Sequence, residues 1–118
     1  MTEFAIVLPI FLMLLLGIAQ LGIAFNHYIQ LTDATRAGAR FGAPLDCSGT
    51  CDRTTKVVSK VKLSAANLDA AQVNVSVTST WQPGTDLRVC ATYPFAINII
   101  GLVVKSGNLN SCTTERVE

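Results

Sequence analysis

The chain has 118 residues, half of them hydrophobic and 14% charged, with a formal net charge of +1. That length holds one small domain. The near-neutral balance leaves no basic footprint for nucleic acid, and that class of partner is set aside.

The hydrophobic excess is concentrated at the start. From Phe4 to Thr32 the chain carries no Asp, Glu, Lys or Arg. About 20 apolar residues suffice to cross ~30 Å of hydrocarbon, so this run is long enough to span a membrane. A cleaved signal peptide would have a positive charge ahead of a shorter apolar stretch. Here no Lys or Arg precedes the run, which is therefore read as part of the mature protein.

Residues 4 to about 42 read as one long helix. Leu12, Leu14, Leu15, Leu16, Ile18, Leu21, Ile23 and Phe25 place apolar groups on every face, as lipid or a helix bundle requires. Pro9 removes a backbone donor and loosens the first turns. Gly17, Ala19, Gly22 and Ala24 are small enough to let neighbouring helices approach closely. Asn26, His27 and Tyr28 suit a membrane–water interface. Beyond them Ala34, Ala37, Gly38 and Phe41 fall on one narrow face, and Asp33 can pair with Arg36 on another. A helix from 4 to 42 is ~58 Å long, about twice the hydrocarbon core, so its second half stands outside the membrane. Gly42 and Pro44 end it.

The remainder, 44–118, reads as a small extracytoplasmic domain. Pro44 to Asp52, containing CSGTC, is a loop. Val57, Val61, Ala65 and Leu68 recur at helical spacing, which predicts a short helix at about 53–67 with Lys56, Lys60 and Lys62 in water. QVNVSVTST alternates with period two from residue 72 and predicts a strand. WQPGTD is a turn, with Trp81 as an exposed turn aromatic. Leu87, Val89, Ala91 and Tyr93 make a second strand that Pro94 stops. The apolar FAINIIGLVV then crosses to a third strand over SGNLNSCTTERVE. The fold class is α+β: a long hydrophobic helix (1–43), then a disulfide-bonded domain with a short helix and an antiparallel sheet of about three strands.

Four cysteines follow the apolar run: Cys47, Cys51, Cys90 and Cys112. An even number in a small exported domain points to two disulfides in an oxidising compartment rather than to a metal. Of the three possible pairings, Cys47–Cys51 with Cys90–Cys112 is favoured, because Cys90 and Cys112 lie on the polar faces of their strands. No cofactor is implied. The one histidine, His27, lies at the membrane edge, and no Ser/His/Asp set, phosphate loop or paired acids accompany it. An enzyme is not expected.

The first 42 residues closely resemble the amino-terminal region of TadE-like proteins, the pilin-like subunits of tight-adherence (Tad or Flp-type) pili. The signature is carried by Glu3-Phe4-Ala5, Val7-Leu8-Pro9, Gly17 and Thr35-Arg36-Ala37-Gly38-Ala39-Arg40. More loosely, Val89 to Phe95 resembles the family's V-x-A-x-YPF strand end. The resemblance implies a structural subunit held in a bacterial or archaeal inner membrane and then drawn into a helical surface filament for adhesion. Its partners would be copies of itself or other pilins, membrane lipid before assembly, a prepilin peptidase and an assembly platform.

In type IV pilin-like proteins a glutamate near the mature start is thought to pair with a neighbour's amino terminus. Glu3 matches it, although it stands third rather than fifth. A carboxylate in an apolar bundle is costly unless a cation meets it, and the α-amino group is the cation near this end. Glu3 reaching its own amine is the competing arrangement. Glu3, Phe4, Pro9, Gly17, Gly22, Ala34, Ala37, Gly38 and Phe41 form the candidate assembly set. The alternative reading is a single-span anchored binding module that never polymerises.

Overall fold

The structure, a computed structural model, describes residues 2–47, 51–99 and 101–118. The centre of the CSGTC loop, the Met1 amine and Ile100 of the apolar crossover lie outside the described residues. Five elements follow in order: α1 (Thr2–Gly42), α2 (Arg53–Ser64), β1 (Asn74–Thr78), β2 (Asp86–Ile99) and β3 (Leu102–Arg116). The three strands form one antiparallel sheet in the order β1-β2-β3. Together they make a body 75 × 23 × 19 Å, its length set by α1.

α1 runs unbroken through Pro9, although a proline at the eighth residue of the helix leaves the Ala5 carbonyl without its usual N–H donor. α2 starts at Asp52, whose carboxylate accepts from the Thr54 N–H at 3.0 Å and from the Thr55 hydroxyl. It stops at Ser64, three residues short of the expected end. Ala65 already leaves helical geometry, yet Ala65 and Leu68 remain buried as the spacing required.

The core lies where the second half of α1 and α2 cover one sheet face. Leu31, Ala34 and Ala39 of α1 meet Val57 and Val61 of α2, and Leu87, Val89 and Ala91 of β2. Gly42 ends α1 as expected, but its work is packing. A Cβ there would stand 2.6 Å from Leu87 Cδ2 and 2.8 Å from Val57 Cγ2.

Two expectations about the second half of the sheet are corrected. Pro94 does not stop β2; the strand runs on to Ile99, with Pro94 opposite Asn108 of β3. β1 reaches only to Thr92, so Pro94 lies where β2 has an open edge, the position at which a proline is tolerated in a sheet. FAINIIGLVV is therefore not a crossover. It forms the end of a long β2–β3 ribbon, paired as far as Ile99 and Leu102, with Gly101 at φ 80° in the turn. β3 accordingly starts at Leu102, not near Ser106.

Trp81 is a third correction. It is half-buried against the core, and Arg53 both donates to its carbonyl at 3.2 Å and sits 5.8 Å from its ring centroid. The next four residues, Gln82 to Thr85, make the turn, closed by Thr85 N–H to Gln82 O at 3.1 Å with Gly84 at φ 83°. That is the Pro-Gly chemistry of a type II turn.

Candidate functional site

The helix α1 carries two kinds of surface. From Phe4 to Leu16 its side chains are exposed, and no residue of its most apolar window is buried by the other described residues. From Gln20 onward one face is covered. Gln20, Ala24, His27, Leu31, Ala34, Gly38 and Gly42 recur every three or four residues along that face.

Three of the polar residues of the apolar run, Gln20, His27 and Thr32, meet the sheet. Gln20 donates from Nε2 to the Asn98 carbonyl at the far end of the ribbon. His27 meets Tyr93 edge-on, ring centroids 5.5 Å apart. Higher up, Thr32 and Thr35 face β3: the Ser111 hydroxyl donates to Thr32 Oγ1 at 3.1 Å, and the Thr35 and Thr113 hydroxyls share a 3.1 Å bond. Thr35 also donates to the Thr32 carbonyl at 2.8 Å. Threonine in mid-helix competes with the backbone, and here a fully buried Thr35 gains a cross-element partner in exchange.

Each predicted assembly residue has a definite place. Glu3 and Phe4 are exposed in the first turn, and Pro9 is exposed above them. A Cβ on Gly17 or Gly22 would meet nothing within 4 Å. Gly17 lies in a shallow apolar groove with Ile10, Met13, Leu14, Ile18 and Leu21. Ala34 and Gly38 are buried, whereas Ala37 is half-buried and Phe41 exposed. Gly38 lies against α2, where a Cβ would stand 2.2 Å from Val61 Cγ2. Lys60 of α2 sits 5.9 Å from the centre of the Phe41 ring. The predicted pair Asp33–Arg36 forms at 3.8 Å on the outer side, exposed and therefore weak.

Both disulfides join the favoured pairs, Cys47–Cys51 within its loop and Cys90–Cys112 across two strands. Cys90 and Cys112 are direct partners in the β2–β3 register, their Cα atoms 4.0 Å apart, on the sheet face turned away from the helices. They tie β2 to β3 at the middle of the three-stranded part, where Cys90 also pairs with Ser76 of β1. The Thr55 hydroxyl, helped by the Thr54 and Thr55 N–H groups and opposed by slight desolvation, holds the Asp52 carboxyl below its ordinary value. Among the described residues no three His, Cys, Asp or Glu side chains gather as a metal-ligand set.

Sequence reasoning missed Gln20, Thr32, Thr35, Ser111 and Thr113. The signal was present: polar and small residues recur at helical spacing from Gln20 to Gly42, interrupting a stretch that is otherwise apolar on all sides.

No curated protein and no solved structure matches the chain. Residues 1–40 match the model of the family described as TadE-like protein. The likeness is confined to the amino-terminal segment, which is exposed and long and apolar enough to cross a membrane, and which is similar to that of TadE-like proteins.

Proposed function

We infer that this chain is a pilin-like subunit that waits in the inner membrane and then assembles through α1 into a Tad-like surface filament used for adhesion. The observation that carries the reading is the bare half of α1. An apolar surface of that length has no cover among the described residues, and lipid and a helix bundle are the two environments that cover it. Residues 1–43 supply the anchor and filament core, and 44–118 the exposed domain, with the upper half of α1 joining the two.

Within this reading the assembly contacts belong to Glu3, Phe4, Pro9, Gly17 and Gly22, which are free of contacts to the rest of the fold. Ala34 and Gly38 act earlier, by seating α2. Partners are further copies or other pilins, with the prepilin peptidase and platform expected from the family. The Glu3 carboxylate requires a cation once lipid or neighbouring helices surround it, and a neighbour's amino terminus supplies one. Glu3→Gln is expected to leave membrane insertion intact and to cut the yield of filaments sheared from cells. Normal filament yield from that variant removes the docking role.

Immunogold microscopy of sheared surface material, with an antibody to the domain beyond residue 43, tests the whole. Gold along thin filaments makes the chain a repeating subunit, and gold at tips makes it a minor one. Protein found solely in the membrane returns the reading to an anchored binding module.

A further inference from the structure

The end of the β2–β3 ribbon is the least expected surface on this molecule. Leu102, Val103 and Val104 are 73%, 62% and 63% exposed, and Ile97 and Ile99 flank them half-buried. Such a cluster at the tip of an exposed hairpin invites aggregation unless something covers it. Between Arg88 and Glu115 the sole charged residue is Lys105, beside the cluster. Nothing acidic lies along that stretch of the ribbon to repel an anionic surface.

The ribbon's position along α1 fixes its height. β2 runs back toward the helix amino terminus, so that Tyr93 lies by His27 and Asn98 by Gln20. With Phe4 at one boundary of the hydrocarbon, Gln20 lies ~24 Å across a core ~30 Å thick. That leaves Asn98 ~6 Å below the second boundary and the Ile99–Leu102 pair, one strand residue further on, ~9 Å below it, within the ~5–10 Å to which amphipathic elements sink.

We propose that, before assembly, the tip of the β2–β3 ribbon is a second membrane contact, with Ile99, Leu102, Val103 and Val104 in the headgroup–acyl boundary of an anionic bilayer and Lys105 on its phosphates. Backbone chemistry sets the limit of insertion. A two-stranded ribbon has two open edges, and unpaired N–H and C=O groups are excluded from hydrocarbon. Gln20 satisfies the Asn98 carbonyl at the point where the ribbon would enter. Deeper insertion has no comparable donor to draw on. The domain is thus held at two points on the bilayer, which fixes its tilt in a way that a single helix does not.

This proposal rests on the membrane-anchored reading, and its test separates the two. The full chain is reconstituted in vesicles of equimolar phosphatidylcholine and phosphatidylglycerol. An environment-sensitive fluorophore is attached in turn at Leu14→Cys, Val103→Cys and Thr114→Cys, after the native disulfides have formed. Quenching by nitroxide on the lipid acyl chains is compared with quenching by aqueous iodide. Val103 is expected to show several-fold more lipid quenching than Thr114 and less than Leu14. Lipid quenching at Leu14 with an aqueous Val103 overturns the tip contact and leaves the anchor standing. A Val103 label shielded from both quenchers means a second copy covers the tip, which also overturns it. An aqueous Leu14 brings down the anchor, and the tip contact with it. Leu102→Trp, read by acyl-brominated lipid against the same chain without the substitution, gives an independent answer that needs no added thiol.

Discussion

The lower and upper halves of α1 have the same backbone geometry and are built for different surroundings. Below Gly17 nearly every side chain is large and apolar, and none is covered. Above it, one face carries glycine, alanine, threonine and glutamine beside His27 and Leu31, and that face packs on α2, β2 and β3. Large side chains suit a medium that conforms to them, such as lipid. Small ones suit a fixed wall, because the backbones must come close before short side chains touch. The position of the small residues therefore tells the covered half from the bare half, where hydrophobicity alone does not.

That contrast can be broken in several places. The largest effect is expected at the clamp on the covering ribbon. Cys90→Ala with Cys112→Ala opens a bridge of sequence separation 22 and should cost about 3 kcal/mol, against about 2 kcal/mol for the short Cys47–Cys51 bridge. Denaturant titration of the detergent-solubilised chain measures both. An equal loss from the two would refute the loop-entropy account.

Next come the glycines. Gly38→Ala forces a methyl group onto Val61 and should destabilise the domain by about 1–3 kcal/mol. Gly22→Ala meets open space and gains helix propensity of about 0.5–1 kcal/mol. If the same titration found the two substitutions equivalent, the division of α1 into covered and bare halves would fail.

A smaller effect is expected from Thr35→Val, which keeps the shape and leaves the Thr113 hydroxyl short of a partner, for a loss of about 1 kcal/mol. Thermal unfolding with Thr113→Val as the second arm of a double-mutant cycle isolates the bond. The smallest is at Asp52. Its folded carboxyl titrates below the unfolded one, so its contribution is present above the unfolded value and fades as pH falls through the folded one. Asp52→Ala should therefore unfold less steeply with acid than the parent over that range, and an unchanged acid profile would remove the cap from the account.

Much of this architecture was legible in the sequence. Uncharged length marked the anchor, and period-two alternation marked β1 and the first half of β2. The facing of Cys90 and Cys112 gave their pairing, because a polar-face cysteine in each of two neighbouring strands has few other partners. Two things were misread for physical reasons. Pro94 signals a strand end only where both edges of the strand are paired, and β1 is too short to pair the second edge. Trp81 looked exposed because turn residues generally are, and its packing depends on Arg53, distant in sequence. The covered face of α1 was hidden by its neighbours, since hydropathy averages over all sides and Gln20 is one residue among many leucines.

The unbroken run of α1 from Thr2 to Gly42 makes the molecule a shaft with a fixed phase. Each residue turns the helix by ~100°, so the azimuth at which the bare half seats in lipid or in a bundle dictates where the sheet points. Inserting one alanine between Leu16 and Gly17 would change no contact in the domain. It would swing the whole domain a little over a quarter of a turn (~100°) around the axis, and in the filament proposed above every added subunit would carry the same error.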